Sequence, residues 1–226
     1  MTKISICIAA SDRPELLLNR CLPSIMRQTH QNFEICIVGD FVDEASAGKI
    51  QGIRDPRVSF TNLLQRGPYP RPGIARWQVA GTYAMNAAMA RATGQYICHI
   101  DDDDEMMPDK LERCLEACQS RKVDFVHHAF CTQMPNRQWV VLGNGSFELG
   151  QITTGAVFYR RKYAAIGWDV NAFKRNTPGD WDRFSRIRSE LKPRIGFVKE
   201  PLLWHYKENN YPVFVAKSFE EFVEVE

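Results

Sequence analysis

Short apolar runs alternate with helical periodicity through the first half of the chain. Ile4 to Ala9 is a compact, β-branched run, the mark of a strand, and Pro14 then opens a helix that runs to about Gln28, with Leu18, Cys21, Leu22, Ile25 and Met26 on one face. Phe33 to Val38 reads as a second strand, Asp43 to Gly52 as a short polar helix, and Val58 to Leu63 as a third strand. A longer helix is predicted over Gln78 to Ala92 and ends near Gly94. Tyr96 to Ile100 is the fourth strand, and Pro108 starts a helix reaching about Gln119. Further strands fall at Val123 to Phe130 and from Ile195 to Lys199 onward, with an amphipathic segment holding Trp181, Phe184 and Ile187 between them. This order implies an α/β fold, a mostly parallel sheet with helices on both faces. In such sheets ligands bind beyond the carboxyl ends of the strands, where Asp40 and Asp101 to Asp104 emerge.

Composition narrows the function class. With 226 residues, 44% hydrophobic and 25% charged, the chain can bury one full core, and no repeat or low-complexity linker divides it, so one domain over residues 1–226 is expected. Lys plus Arg number 29 against 27 Asp plus Glu, and a net charge of +2 argues against a nucleic-acid partner. No apolar run reaches the ~20 residues that span a bilayer, and the N-terminus lacks the apolar core of a signal peptide, which makes the cytoplasm the default location. The seven cysteines show no zinc spacing and several sit inside apolar runs, as expected of reduced, structural thiols.

The candidate chemistry centres on Asp101-Asp102-Asp103-Asp104-Glu105, directly after the fourth strand. Five adjacent carboxylates repel one another and are retained either in water or around a cation. A calcium loop of the EF-hand type is set aside, because its sixth position needs glycine and here holds Met106, with Pro108 following and a strand in front. A solvated acidic loop and a metal site remain.

Taken in order, several segments resemble the family 2 glycosyltransferases. Ile6-Cys7-Ile8, Arg13-Pro14-Glu15-Leu16-Leu17, Ser24 to Thr29, Asn32-Phe33-Glu34 and Ile37-Val38-Gly39-Asp40 look like the family's nucleotide-binding start. Asn86-Ala87-Ala88, Ala92 to Ile97 and Asp101 to Asp104 with Pro108 continue the likeness, Thr154 to Arg161 with Ile166-Gly167-Trp168 resembles its acceptor-side strand and helix, and Gly179-Asp180-Trp181-Asp182 stands where the catalytic aspartate is carried. The resemblance implies a single GT-A-type domain, with residues 1–105 as the nucleotide-sugar half and 106–226 as a smaller, mixed acceptor-binding half that holds the catalytic base.

It also implies roles. Asp103 is expected as a ligand of Mn²⁺ or Mg²⁺, Asp102 as a ribose contact, Asp101 as a loop or nucleotide contact, and His205 as a further metal ligand, an assignment weighed against a packed histidine. Asp40 matches the carboxylate that accepts uracil N3–H, Ala9 and Ser11 fall on the nucleotide-contacting loop after the first strand, and Arg76 is the chosen arginine of the Gln65 to Trp77 segment. Two departures stand out: Ala9-Ala10-Ser11-Asp12 replaces the usual Pro-Thr-Tyr-Asn and its aromatic ring, and Gly39-Asp40 replaces a pair of aspartates. UDP-sugar remains the favoured donor despite these departures, with dTDP-sugar next. Asp180 is the expected base of an inverting displacement, its competing role being a helix cap, and Asp182 is the weaker candidate. His127 and His128 alternate faces and are expected to be structural, while Trp139, Trp168 and Trp181 are read as core residues or a sugar platform. The expected acceptor is a glycan or lipid-linked saccharide in bacterial surface glycan synthesis, with peripheral association at the inner face of the membrane left open. Two other classes stay in view: a metal-dependent nucleotidyltransferase, and a non-catalytic donor-binding fragment of a longer polymerase, suggested by the acidic tail Phe219-Glu220-Glu221-Phe222 after Tyr211-Pro212.

Overall fold

The computed structural model describes residues 2–134 and 136–207; Tyr211-Pro212 and the acidic tail lie outside the described residues. Its strands, in chain order, are β1 (Ile4–Ala10), β2 (Phe33–Gly39), β3 (Val58–Asn62), β4 (Tyr96–His99), β5 (Glu105–Met106), β6 (Phe125–Gln133), β7 (Trp139–Leu142), β8 (Val157–Arg160) and β9 (Ile195–His205). They form one sheet in the order β3-β2-β1-β4-β8-β6-β9-β5, with β7 paired to β6.

The first four strands are parallel, and the second half is mixed: β8 is antiparallel to β4 and β6, β9 runs parallel to β6, and β5 pairs antiparallel with β9. The α/β class and the mixed second half therefore match expectation. Because β2 and β3 are laid on one side of β1 and β4 on the other, the strand order reverses between β1 and β4. A crevice opens at that switch point beyond the strands' carboxyl ends.

Alternation along the parallel strands separates two cores. Ile4, Ile6 and Ile8 face one way, onto Leu17, Cys21, Leu22 and Ile25; Cys7, Cys36 and Val38 face the other, onto Ala84, Met85, Ala88 and Met89 of the helix Thr82–Arg91. Each fully buried Leu or Ile contributes about 1.5–3 kcal/mol. All seven cysteines are free and buried, six of them within these layers, and burial raises the thiols Cys7, Cys21 and Cys114 well above the ordinary range.

Two predicted helices are interrupted, each for a local reason. The first is helical over Pro14–Leu16 and Leu22–Met26 but opens into a π turn at Leu17–Cys21, immediately before Pro23, which has no N–H to donate to the preceding turn. The second, predicted over Gln78 to Ala92, is helical only over Thr82–Arg91, broken off from a separate short helix Ile74–Gln78 by Gly81, whose φ of 73° is left-handed; a β-carbon there would meet the Ala9 side chain at 3.3 Å.

Candidate functional site

β1 and β4 deliver their exits to the same place. Asp102, buried after β4, accepts the Ser11 N–H and hydroxyl on one oxygen, both at 2.7 Å, and the Arg13 guanidinium on the other at 3.1 Å. Arg13 also donates to Asp103 at 2.7 Å. Asp102 thus spends both oxygens on fastening the loop after β1 across the switch point, with Ser11 and Arg13 held at its edge. Ala9 lies half-buried behind this loop and accommodates the Gly81 turn.

Asp104 and His205 are brought together by strand register. β5 pairs with β9 so that Glu105 faces Trp204; one step along an antiparallel ladder sets Asp104 opposite His205. The fully buried Asp104 carboxylate accepts from His205 Nδ1 at 2.9 Å and from the Tyr206 N–H at 3.0 Å, while the Lys207 ammonium donates to His205 Nε2 at 3.1 Å. An ammonium has only donors, so Nε2 accepts and Nδ1 carries the proton toward Asp104.

Asp101, Asp104 and His205 form a group whose ligand atoms all lie within 4.8 Å of one another. Carboxylate and imidazole together suit a divalent ion such as Mn²⁺. Asp103, expected as a ligand from the resemblance, pairs with Arg13 at 2.7 Å.

The electrostatics of the cluster favour a cation. Burial pushes Asp101 well above the usual carboxylate range, and the charges of Asp104, Asp103, Asp102 and Asp180 push it further. Asp103 is raised to about 6 by burial and by Asp104, with Arg13 opposing. A divalent ion would relieve both the crowding and the desolvation.

Asp180 reaches this cluster from far along the chain. It sits in the first turn of the helix Gly179–Arg186, which is capped by Pro178, so the alternative role of N-cap does not apply. Its carboxylate accepts the Trp181 N–H at 2.7 Å and the Thr154 N–H, and it lies close to Asp101 and His205. Burial raises its pKa; the two N–H donors and His205 oppose that. Asp182 points elsewhere, buried between Arg175 at 2.6 Å and Arg186 at 2.9 Å.

A buried polar chain ties this helix to β4: Arg183 donates to the Tyr159 hydroxyl at 2.9 Å and the Ile166 carbonyl at 2.8 Å, and Tyr159 contacts His99 Nε2 at 2.5 Å. The strand ending at Asp101 and the helix bearing Asp180 are thereby fixed to each other.

Asp40 and Arg76 meet at the far side of the crevice. Arg76 lies 3.9 Å from the Asp40 carboxylate and stacks 3.5 Å above the Tyr69 ring, and Tyr69 donates to Asp40 at 3.0 Å. Burial raises the Asp40 pKa, with Tyr69 and Arg76 opposing.

Sequence reasoning missed three participants: Arg13, Asp104 and Tyr69. Arg13 had a signal, a cation three residues beyond a strand end facing an acidic exit loop; the pairing of Asp104 with His205 had none before the register was known. His127 and His128 are buried and held neutral by burial, His127 down to about 4, as expected of structural residues. The three tryptophans do not build one platform: Trp139 packs on Trp204 and Tyr206, Trp168 on His99 and Phe184, and Trp181 on Phe147.

The family model for glycosyl transferase family 2 matches residues 5–174. The chain belongs to that family. A putative colanic acid biosynthesis glycosyl transferase of Escherichia coli K12 is 31% identical over 130 residues, 56% of this chain and 40% of the relative, and the chondroitin synthase of Pasteurella multocida is 33% identical over 179 residues, 75% of this chain and 17% of the relative. The chain thus spans well under half the length of these curated relatives.

Among solved structures, Staphylococcus aureus TarS 1–349 in complex with UDP-GlcNAc superposes with a TM-score of 0.70 at 14% identity, covering 92% of this chain and 60% of TarS 1–349. A Pyrobaculum calidifontis mannosyltransferase in complex with GDP-Man and Mn²⁺ gives 0.63 at 13% identity, covering 90% of this chain and 56% of its own. Both share the fold, a GT-A glycosyltransferase fold. Among the described residues, no helix is long and apolar enough to cross a membrane.

Proposed function

We propose that this chain is a metal-dependent, inverting glycosyltransferase that moves a hexosyl or N-acetylhexosaminyl group from a nucleoside diphosphate sugar to a hydroxyl of a glycan or lipid-linked saccharide. The observation that carries the reading is the position of Asp180, a partly buried carboxylate held by two backbone N–H groups against the Asp101–Asp104–His205 group. The nucleotide sugars named with the two neighbours and the Mn²⁺ of one support the donor class and the ion, and the polysaccharide enzymes among the relatives support a glycan product.

Each group has a task in a single displacement. Asp101, Asp104 and His205 would hold the ion, with Asp103, already raised by its neighbours, beside them. When bound, the ion neutralises the diphosphate as it leaves. Asp102 anchors Ser11 and Arg13 along the nucleotide, and Asp40 meets the base. Asp180 takes the proton of the acceptor hydroxyl as the new C1–O bond forms and the bond from C1 to the diphosphate oxygen breaks, releasing a nucleoside diphosphate. A raised pKa makes this carboxylate a stronger base than an exposed aspartate. UDP is the favoured carrier with dTDP next, and the enzyme is placed in the cytoplasm, at the inner membrane face where a lipid-linked acceptor would be met.

The test is a thermal-shift panel of UDP-, dTDP- and GDP-sugars with and without Mn²⁺, followed by product analysis. A ligand that binds only the folded chain raises its melting temperature, by mass action. One class of nucleotide sugar is expected to do so in a Mn²⁺-dependent way and to yield nucleoside diphosphate on turnover. No shift with any of them, or release of pyrophosphate as from a nucleotidyltransferase, defeats the reading.

A further inference from the structure

The two oxygens of Asp40 have different surroundings. Oδ1 accepts the Tyr69 hydroxyl at 3.0 Å, whereas the Arg76 guanidinium stands 3.9 Å from Oδ2, beyond hydrogen-bond length. Among the described residues, Oδ2 accepts no hydrogen bond from a side chain.

Tyr69 is itself tightly placed. Its hydroxyl accepts the Tyr83 N–H at 3.4 Å, its ring meets the Tyr83 ring edge-on at 5.0 Å, and the Arg76 guanidinium covers one face at 3.5 Å. A phenol has one proton, and with the Tyr83 N–H approaching the oxygen that proton is directed to Asp40. Burial holds the phenol above its ordinary range, so the proton stays on it. The loop has little room to shift: a β-carbon on Gly67 would fall 2.1 Å from the Tyr83 ring.

Resting on the reading of Asp40 as the group that meets the nucleobase, we propose that Tyr69 is a specificity-determining positioning residue: by engaging Oδ1 it leaves Oδ2 as the oxygen of Asp40 without a side-chain hydrogen bond among the described residues, which suits a base edge with one N–H, such as N3–H of uracil or thymine, and disfavours guanine. Guanine presents N1–H and the 2-amino group side by side and would need both oxygens. With Oδ1 shared with the Tyr69 hydroxyl, the amino group has to compete for that oxygen's remaining lone pair, and a buried donor left poorly paired in this way costs up to about ten- to a hundredfold in affinity. The aromatic ring absent after β1 is thus supplied from the loop after β3, in contact with Asp40 through its hydroxyl.

Calorimetric titration of wild type and Tyr69→Phe with UDP, dTDP, GDP and inosine diphosphate, in the presence of Mn²⁺, tests this. Inosine diphosphate is GDP without the 2-amino group, so the ratio of the two purine affinities reads that one group and cancels ring size. Tyr69→Phe keeps the contacts of the ring and frees Oδ1. Its GDP-to-inosine-diphosphate affinity ratio is expected to rise about tenfold or more, with UDP and dTDP changed by less than about threefold, the comparison of those two showing whether the thymine methyl is tolerated. A merely structural tyrosine would weaken all four ligands together and leave the ratio alone. An unchanged ratio, including no measurable binding of either purine by both proteins, overturns the inference. Asp40→Ala separates it from its premise: loss of UDP affinity there with no ratio change in Tyr69→Phe sinks only the role of Tyr69, whereas unchanged UDP affinity in Asp40→Ala removes Asp40 from the base site.

Discussion

Replacing Asp180 with asparagine isolates the proton-accepting charge from everything else the residue does. The amide oxygen of asparagine can still accept the Trp181 N–H, now at 2.7 Å, so the first turn of the helix keeps that bond. The sign of the stability effect follows from the raised pKa. The folded state holds the Asp180 proton more tightly than the unfolded chain does, so ionisation above the folded pKa costs stability, and the neutral isostere is expected to melt at the same temperature or higher. Turnover should fall by about 10²–10⁴, the usual contribution of a positioned general base, or about 3–5 kcal/mol in the barrier. The measurements are nucleoside diphosphate release against acceptor concentration and donor affinity by calorimetry with Mn²⁺ present. Donor affinity should stay within about threefold, because the proposed role of Asp180 is to take the proton of the acceptor and not to hold the donor. In wild type the acid limb of kcat should lie above the ordinary aspartate pKa of about 3.9, since the base must be ionised and burial raises it; the variant should lose that limb. Turnover within about tenfold of wild type by a folded variant would refute the assignment.

Other expectations follow from the same geometry. His205→Ala should weaken Mn²⁺ binding by about 10–100-fold in a metal titration, and Asp104→Ala should lose more Mn²⁺-dependent donor affinity than Asp103→Ala; the reverse order would make Asp103 the principal ligand. Glu34 should carry a pH-dependent share of stability: burial alone would raise its pKa, but Lys3, Ser5 and Thr93 together bring it down to about 2. That stability is present above the unfolded value of about 4.3 and lost as pH falls toward 2; discounted for solvent screening it is worth about 1–2 kcal/mol, and the stability difference between Glu34→Gln and wild type in denaturant titrations should be about half as large at pH 3 as at pH 7. Gly94→Ala would set a β-carbon 2.7 Å from the Ser5 nitrogen and 2.9 Å from the Ile4 carbonyl carbon, so about 1–3 kcal/mol should be lost in calorimetric melting, and an unchanged melting temperature would mean that β1 yields there.

Much of the fold was legible because local rules carry it. β1, β2 and β4 are apolar on both faces, as strands covered by helices on two sides must be, and the βα order then dictates a parallel half-sheet. The exit of β4 announced itself through charge, since four consecutive aspartates are too repulsive to go unexplained. Asp180 was legible only through resemblance; its own neighbourhood reads equally well as the start of an amphipathic helix.

Local pattern determined which segments are strands and that acidic groups crowd one strand end. Tertiary structure alone decided which carboxylate does what. Asp102, Asp103 and Asp104 are chemically identical in the chain, yet one is consumed by Ser11 and Arg13, the next is paired with Arg13, and the third meets His205 through the register of β5 on β9. Contacts between residues about a hundred apart, such as Asp104 with His205, leave no periodic trace in a sequence, because they depend on strand order and register, which are settled by the packing of the whole sheet. The same holds for Tyr69, an unremarkable aromatic in a proline-rich loop until the fold lays its hydroxyl on Asp40.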